Sequence, residues 1–216
     1  NDMEVDELIF LDINATKNNH KINFELLNGV ASECFMPLAY GGGINKLDDI
    51  RRLFEIGFEK VIINSATIEN PELIIEASRL FGSQSIVASI DIKKNLWGRK
   101  KVTINSATKS INIDAPNHAL NLQNMGCGEI FLNSVDHEGR MNGFDIELIQ
   151  SVTSKVNIPV IASGGARNYL DLREAIFVGK ASAVAAGSLF VYHGKTKGIL
   201  INYPTQQEIK NLFKNE

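Results

Sequence analysis

The feature that most constrains this chain is an internal repeat at an offset of 122 residues. Pro37-Leu38-Ala39-Tyr40-Gly41-Gly42-Gly43-Ile44 aligns with Pro159-Val160-Ile161-Ala162-Ser163-Gly164-Gly165-Ala166. At the same offset Asp49 meets Asp171, Gly57 meets Gly179, and Glu7 meets Glu129. Solenoid repeats run about 20–50 residues, so a period this long points to a half-domain copied and fused. Each copy has an apolar run ending in glycines and a helical pattern after it. Its next apolar run ends in small residues, Asn64-Ser65-Ala66 in one copy and Ala186-Gly187-Ser188 in the other. Glycine turns at helix starts expose backbone N–H groups and accept anions. Taken singly, either cluster could equally be no more than a tight turn. The matched pair suggests a substrate with a phosphate at each end.

With 216 residues the chain is long enough for one large domain, and we read residues 1–216 as a single domain. Apolar residues are 44% and charged residues 22%, a globular balance. The net charge of −3 gives no reason to expect a nucleic-acid or anionic-membrane partner. Cys34 and Cys127 lack metal or redox spacing and read as structural thiols of a reducing cytoplasm. The longest apolar stretch, Ala183 to Tyr192, is far shorter than the roughly 20 residues of a membrane span.

Strands are expected at Leu8–Asp12, Pro37–Tyr40, Lys60–Asn64, Ser85–Asp91, Glu129–Ser134, Pro159–Ser163 and Ala183–Gly187. These near-continuous apolar runs suit parallel strands covered on both faces, and helical patterns alternate with them. Seven βα units imply a (β/α)8 barrel of two half-barrels, its first unit lying upstream of residue 1. Such a barrel would be open at the seam between the Leu8 and Ala183 strands. The stretch Lys93–Ala119, with Trp97 and alternating Val102, Ile104, Ile111 and Ile113, reads as a hairpin excursion.

Active sites of these barrels gather at the C-terminal ends of the strands. Asp91 ends one strand and is a candidate general acid or base; a helix cap or a salt bridge with Lys93 is the bland alternative. Asp12 ends another strand and could equally be bonded to its own loop. Ser163 belongs to the same face, as do Asn133, Ser134 and Asp136. The histidines at 20, 118, 137 and 193 form no ligand pair, so neither metal nor cofactor is expected. Glu7, Lys60 and Glu129 begin three strands and would ring the opposite mouth. Mutual charge pairing is the ordinary role there, and a polar gate for a small molecule is the functional one.

Asp6-Glu7-Leu8-Ile9-Phe10-Leu11-Asp12-Ile13, Gly41-Gly42-Gly43-Ile44, Val61-Ile62-Ile63-Asn64-Ser65-Ala66, Phe81-Gly82-Ser83-Gln84, Gly128-Glu129-Ile130 and Ile161-Ala162-Ser163-Gly164-Gly165-Ala166 resemble the cyclase subunit (HisF family) of imidazole glycerol phosphate synthase. The resemblance runs to about Phe190. It implies a TIM barrel of two-fold internal symmetry with a glutaminase (HisH-type) partner on the N-terminal face. Ammonia would pass through the barrel to convert a phosphoribulosyl-formimino-aminoimidazole carboxamide nucleotide to imidazole glycerol phosphate. Asp91 matches one of the family's two catalytic aspartates, the other lying upstream. Phosphate contacts map onto Gly43, Asn64 and Ser65 at one end and Gly139, Gly165, Gly187 and Ser188 at the other. Asp12 and Ser163 match the active face, and Glu7, Lys60 and Glu129 match three members of a four-residue ammonia gate.

Some stretches depart from the family. Asp136-His137-Glu138-Gly139 replaces the family's Asp-Arg-Asp-Gly, and the hairpin after Asp91 has little similarity. Leu189 to Pro204, with Asn1 to Leu8, looks more like a paralogous branch that delivers ammonia to an amidotransferase making acetamidino sugars for surface polysaccharide. A third reading is a barrel that only binds phosphorylated metabolites.

Overall fold

The structure, a computed structural model, describes residues 4–15, 20–193 and 198–214. Parts of the two departing termini, 1–3 and 194–197, therefore lie outside the described residues. In chain order the elements are β1 (Leu8–Leu11), α1 (Phe24–Glu33), β2 (Leu38–Gly41), α2 (Leu47–Glu55), β3 (Lys60–Ile63), α3 (Ala66–Glu69), α4 (Glu72–Phe81) and β4 (Ile86–Lys94). Then come β5 (Lys100–Ile104), β6 (Lys109–Ile111), α5 (Ala115–Met125), β7 (Glu129–Ser134), α6 (Ile146–Thr153), β8 (Val160–Ser163), α7 (Tyr169–Phe177) and β9 (Ala183–Ala185). The chain ends in α8 (Ser188–Val191), a small pair β10 (Tyr192–His193) and β11 (Gly198–Ile199), and α9 (Gln206–Leu212).

All seven expected strands form, in one parallel sheet of order β1-β2-β3-β4-β7-β8-β9. Alternate side chains of a strand point to opposite faces, and here both faces are buried. Leu38, Tyr40, Val61, Ile63, Ile86, Ile130, Leu132 and Val160 face the helices and form the larger core. Ala39, Ile62, Val87, Phe131 and Ile161 form a second, separate core, with Ile9 of β1 and Ala185 of β9 packed against it. One residue from each of the seven strands meets there, so the sheet curls on itself as in a TIM barrel. Its edges are β1 and β9, which do not pair with each other.

The excursion after Asp91 is an antiparallel hairpin, with Val102 and Ile104 buried and Trp97 exposed at its turn. β4 runs three residues beyond Asp91 because β5 pairs with that extension. The C-terminal segment returns to the start of the chain: Tyr203 Oη donates to Asp6 Oδ2 at 2.8 Å, and Gln206 Nε2 donates to Glu4 O at 3.1 Å.

The repeat is structural. α2 and α7 match at the offset, as do α3 and α8. Asn23 and Asp145 cap α1 and α6 with the same bond, accepting from Leu26 N and Leu148 N at 3.0 Å each. Buried Asp171 accepts from Arg167 N, and its counterpart Asp49 takes the equivalent backbone bond from Asn45.

Candidate active site

The inward residues are layered along the barrel axis. At the N-terminal mouth, Lys60 Nζ lies 3.0 Å from Glu7 Oε2 and 2.9 Å from Glu129 Oε1. The three residues expected to ring this mouth therefore meet in one ion triad. Burial acts to lower the Lys60 pKa, but the hydrogen bonds and charges of Glu129 and Glu7 outweigh it and hold the ammonium above its ordinary range. Above the triad lies the apolar core layer, which fills the barrel interior as in other barrels of this type. Polar groups return at the C-terminal ends of the strands.

There a cavity of about 140 Å³ opens. Asp91, Asp12, Gly43, Asn64 and Ser65 all line it, so the candidate acid-base residue and the first expected anion cradle share one space. Asp91 receives a hydrogen bond at Oδ1 from Asn133 Nδ2 at 3.0 Å. Burial pushes its pKa up, and the bond from Asn133 opposes the shift. Neither bland alternative for Asp91 is seen: it caps no helix and forms no ion pair among the described residues. Asp12 instead shows the loop-bonding geometry. Its Oδ1 accepts from Asn14 N and Ala15 N at 3.0 Å each while the residue stays on the cavity wall.

The second cradle forms a separate notch of about 10 Å³, lined by Gly139, Gly165, Gly187 and Ser188 together with Glu138 and Met141. Ser163 lines neither space. It stands in register between Asn133 and Ala185 at the end of β8.

Glycine has one decisive use in each half. A Cβ on Gly42, at φ +138°, would stand 2.7 Å from Asp12 O. One on Gly164, at φ +90°, would stand 2.5 Å from Ser134 O. Asp12 and Ser134 are themselves related by the offset, so one close approach of a turn to the preceding strand is used twice.

Sequence reasoning missed Ser89, Phe131 and Ser106 on the cavity wall and gave Asn133 no role. Strand alternation points to the first two, because Ser89 and Phe131 lie two residues from Asp91 and Asn133. Ser106 carried no such signal. It sits in a left-handed run, Asn105, Ser106 and Ala107 at φ +55°, +54° and +59°, that turns the β5–β6 tip over the cavity. Asn105 N donates to Ser65 Oγ at 3.0 Å and Ser106 Oγ to Ile13 O at 2.6 Å, so the tip seats directly on the first cradle. Among the described residues no group of three or more His, Cys, Asp or Glu is placed to hold a metal, and no helix is long and apolar enough to cross a membrane.

A parallel α/β sheet curled on one inward core, with a buried carboxyl and two glycine turns at its strand ends, defines a TIM-barrel-like protein. The family model described as "Histidine biosynthesis protein" matches residues 1–197, and the chain belongs to that family. It is 47% identical over 204 residues to a Pseudomonas aeruginosa protein named provisionally as imidazole glycerol phosphate synthase subunit hisF2, covering 94% of this chain and 81% of that protein. It is 44% identical over 189 residues to imidazole glycerol phosphate synthase subunit HisF of a Hydrogenobaculum species, covering 88% and 75%. The HisF subunit of Alkaliphilus metalliredigens is 38% identical over 193 residues, covering 89% and 77%.

Proposed function

We propose that the chain is a cyclase subunit of imidazole glycerol phosphate synthase, a cytoplasmic lyase that uses ammonia released by a glutaminase docked on its N-terminal face. The observation that carries this reading is the position of Asp91. It lies at the half-buried floor of a cavity that also holds Gly43, Asn64 and Ser65, with the second cradle at the matching place in the other half. The cradles hold the two phosphates of the substrate, and Asp91 exchanges protons as the imidazole ring closes. A carboxyl that burial holds above its usual range is a stronger base than a free one, which suits the taking and returning of a proton. Opposite the cavity, the Glu7–Lys60–Glu129 triad admits ammonia. The apolar layer between favours the neutral molecule, because carrying ammonium through it would expose a charge to a low-dielectric interior.

The test is turnover of the phosphoribulosyl-formimino substrate by the full-length protein with ammonium salt at alkaline pH. Asp91→Asn should lower turnover by about 10²–10⁴-fold, the usual contribution of a positioned acid or base.

A second reading has an observation of its own. The provisionally named hisF2 relative shares more identity with the chain than the two HisF subunits above. In this reading the barrel conducts ammonia to a separate amidotransferase making acetamidino sugars. Absence of turnover in a folded, full-length protein would decide for it.

A further inference from the structure

Asn133 satisfies only half of its hydrogen-bonding capacity. Nδ2 donates to Asp91 Oδ1 at 3.0 Å, while Oδ1 is buried without a partner. A buried acceptor left unpaired forfeits its hydration without compensation, so an orphan beside the candidate acid calls for a reason. The chemistry of the pair supplies one. A carboxylate only accepts, whereas a carboxylic acid also has a hydrogen to donate. An amide carries a donor and an acceptor on one carbon, and half a turn about its last torsion exchanges them.

With Asp91 ionised, Nδ2 must face it and Oδ1 is turned away. Once Asp91 is protonated, its O–H needs an acceptor, and the turned amide oxygen becomes that acceptor. The point where a Cβ of Gly164 would stand is 3.0 Å from Asn133 Oδ1 and 2.5 Å from the carbonyl oxygen of Ser134. In the present orientation two acceptors share that space. The Ser134 oxygen there already accepts from His137 N and Glu138 N at 3.0 Å each.

We propose that Asn133 positions Asp91 in both of its protonation states, donating to the carboxylate and, turned over, accepting from the carboxylic acid. Asp91 can then take a proton from the substrate and return it without moving. The proposal rests on the reading of Asp91 as an acid-base residue.

Few charged groups compete with Asn133 for Asp91. From β5, Thr103 stands opposite Asp91 and donates to its main-chain oxygen at 3.2 Å, and Lys101 is bonded to Asn112. From the loop after β7, Asp136 is bonded to Lys94 N. Asn64 and Ser65, which follow β3, carry no charge, and Asp12 after β1 is the other titratable group on the cavity wall. Burial raises the Asp91 pKa, and Asn133 is the hydrogen-bond donor that opposes it.

The experiment follows the Asp91 carboxyl by infrared or carbon NMR titration, assigned by its loss in Asp91→Asn, next to the pH–rate profile. The Asn133 side-chain amide signals should titrate together with Asp91. Asn133→Leu, which takes a partner from both protonation states, should move the Asp91 titration by less than about one pH unit, where loss of a donor to the carboxylate alone would raise it by more than that. Asn133→Thr, whose hydroxyl can donate or accept, should titrate near the wild type and keep its pH profile. Should the leucine variant fail to fold, Asn133→Ala stands in for it under the same criterion. An upward move of more than about one pH unit in the folded leucine or alanine variant, or Asn133 amide signals that ignore the Asp91 titration, overturns the proposal. If both readouts come out as expected in a protein without cyclase turnover, the positioning role stands and the proposed reaction fails.

Discussion

The two half-barrels share a skeleton and differ in what they place on it. The first half, together with Ser89 and Asp91 of β4 and Phe131 and Asn133 of β7, lines a cavity of about 140 Å³ under the hairpin tip. The second half forms a notch of about 10 Å³ with no carboxyl beyond Glu138 at its rim. At the opposite mouth the first half supplies Lys60, whereas the matching Ser182 accepts weakly from Val160 N at 3.4 Å. Duplication thus accounts for the two glycine turns and for the pair of glutamates Glu7 and Glu129. It does not account for Lys60, which the first half alone supplies.

The largest effect should come from the glycines that bring each turn onto its strand. Gly164→Ala sets a Cβ 2.5 Å from Ser134 O and 3.0 Å from Asn133 Oδ1, at a φ that disfavours side chains. The backbone strain alone costs about 1–3 kcal/mol, and the overlap adds to it. Gly42→Ala repeats the insult against Asp12 O at 2.7 Å. There the neighbouring strand is β1, an edge of the sheet, which can yield more easily than β7 between β4 and β8. Urea denaturation should therefore rank Gly164→Ala as the more destabilised. Equal losses would show that the edge strand is held as firmly as the interior one.

Those glycines were legible in the sequence because the same constraint is written twice. The seven strands were legible for a similar reason: buried on both faces, they read as unbroken apolar runs. Boundaries were less so. β4 was expected to stop at Asp91, and its extension to Lys94 depends on pairing with β5, which no local pattern announces. Of the candidate residues, Asp91, Gly43, Asn64 and Ser65 could be collected by position at strand ends. Ser106 could not, because its place on the cavity wall comes from the fold of a hairpin with no counterpart in the other half. The orphaned oxygen of Asn133 is a property of packing in three dimensions and leaves no trace in the order of residues.

A smaller effect tests the asymmetry at the N-terminal mouth. Lys60→Met leaves Glu7 and Glu129, whose side chains are 27% and 18% exposed, without their shared cation. Removing one partner of a fully buried pair costs about 3–5 kcal/mol, and partial hydration here should reduce that to roughly 1–3 kcal/mol. The pH dependence has a definite sign. The folded-state pKa of Lys60 is raised, so its contribution is complete below the ordinary lysine range and fades as pH rises through the folded value. Stability of the wild type should fall on the alkaline side, and Lys60→Met should lack that component. If the reading of the two ends is right, Lys60→Met should also leave turnover with external ammonium intact while uncoupling glutamine use.

The smallest effect concerns the helix caps, where the halves differ by one charge. Asn23 and Asp145 accept the same bond, and losing a cap costs about 1 kcal/mol, which is the loss expected of Asn23→Ala. Asp145 also receives Lys100 Nζ at 2.8 Å, which ties β5 of the hairpin to α6, and Glu147 joins the same ammonium at 3.0 Å. Asp145→Asn makes the second cap chemically equal to the first, so it should keep the cap and lose only the ion pair, a few tenths to about 1 kcal/mol at neutral pH. Burial acts to raise the Asp145 pKa, but the bond and charge of Lys100 and the bond from Leu148 N outweigh it, so the folded value lies below the ordinary one. Its stabilisation is therefore present above the usual carboxylate range and is lost as pH falls through the folded value. Denaturation curves of wild type and Asp145→Asn should converge in acid and separate at neutral pH, while Asn23→Ala keeps a constant gap from wild type. Curves for Asp145→Asn that stay parallel to the wild type down to acid pH would mean that Lys100 contributes nothing, and that the two halves are energetically alike at this cap.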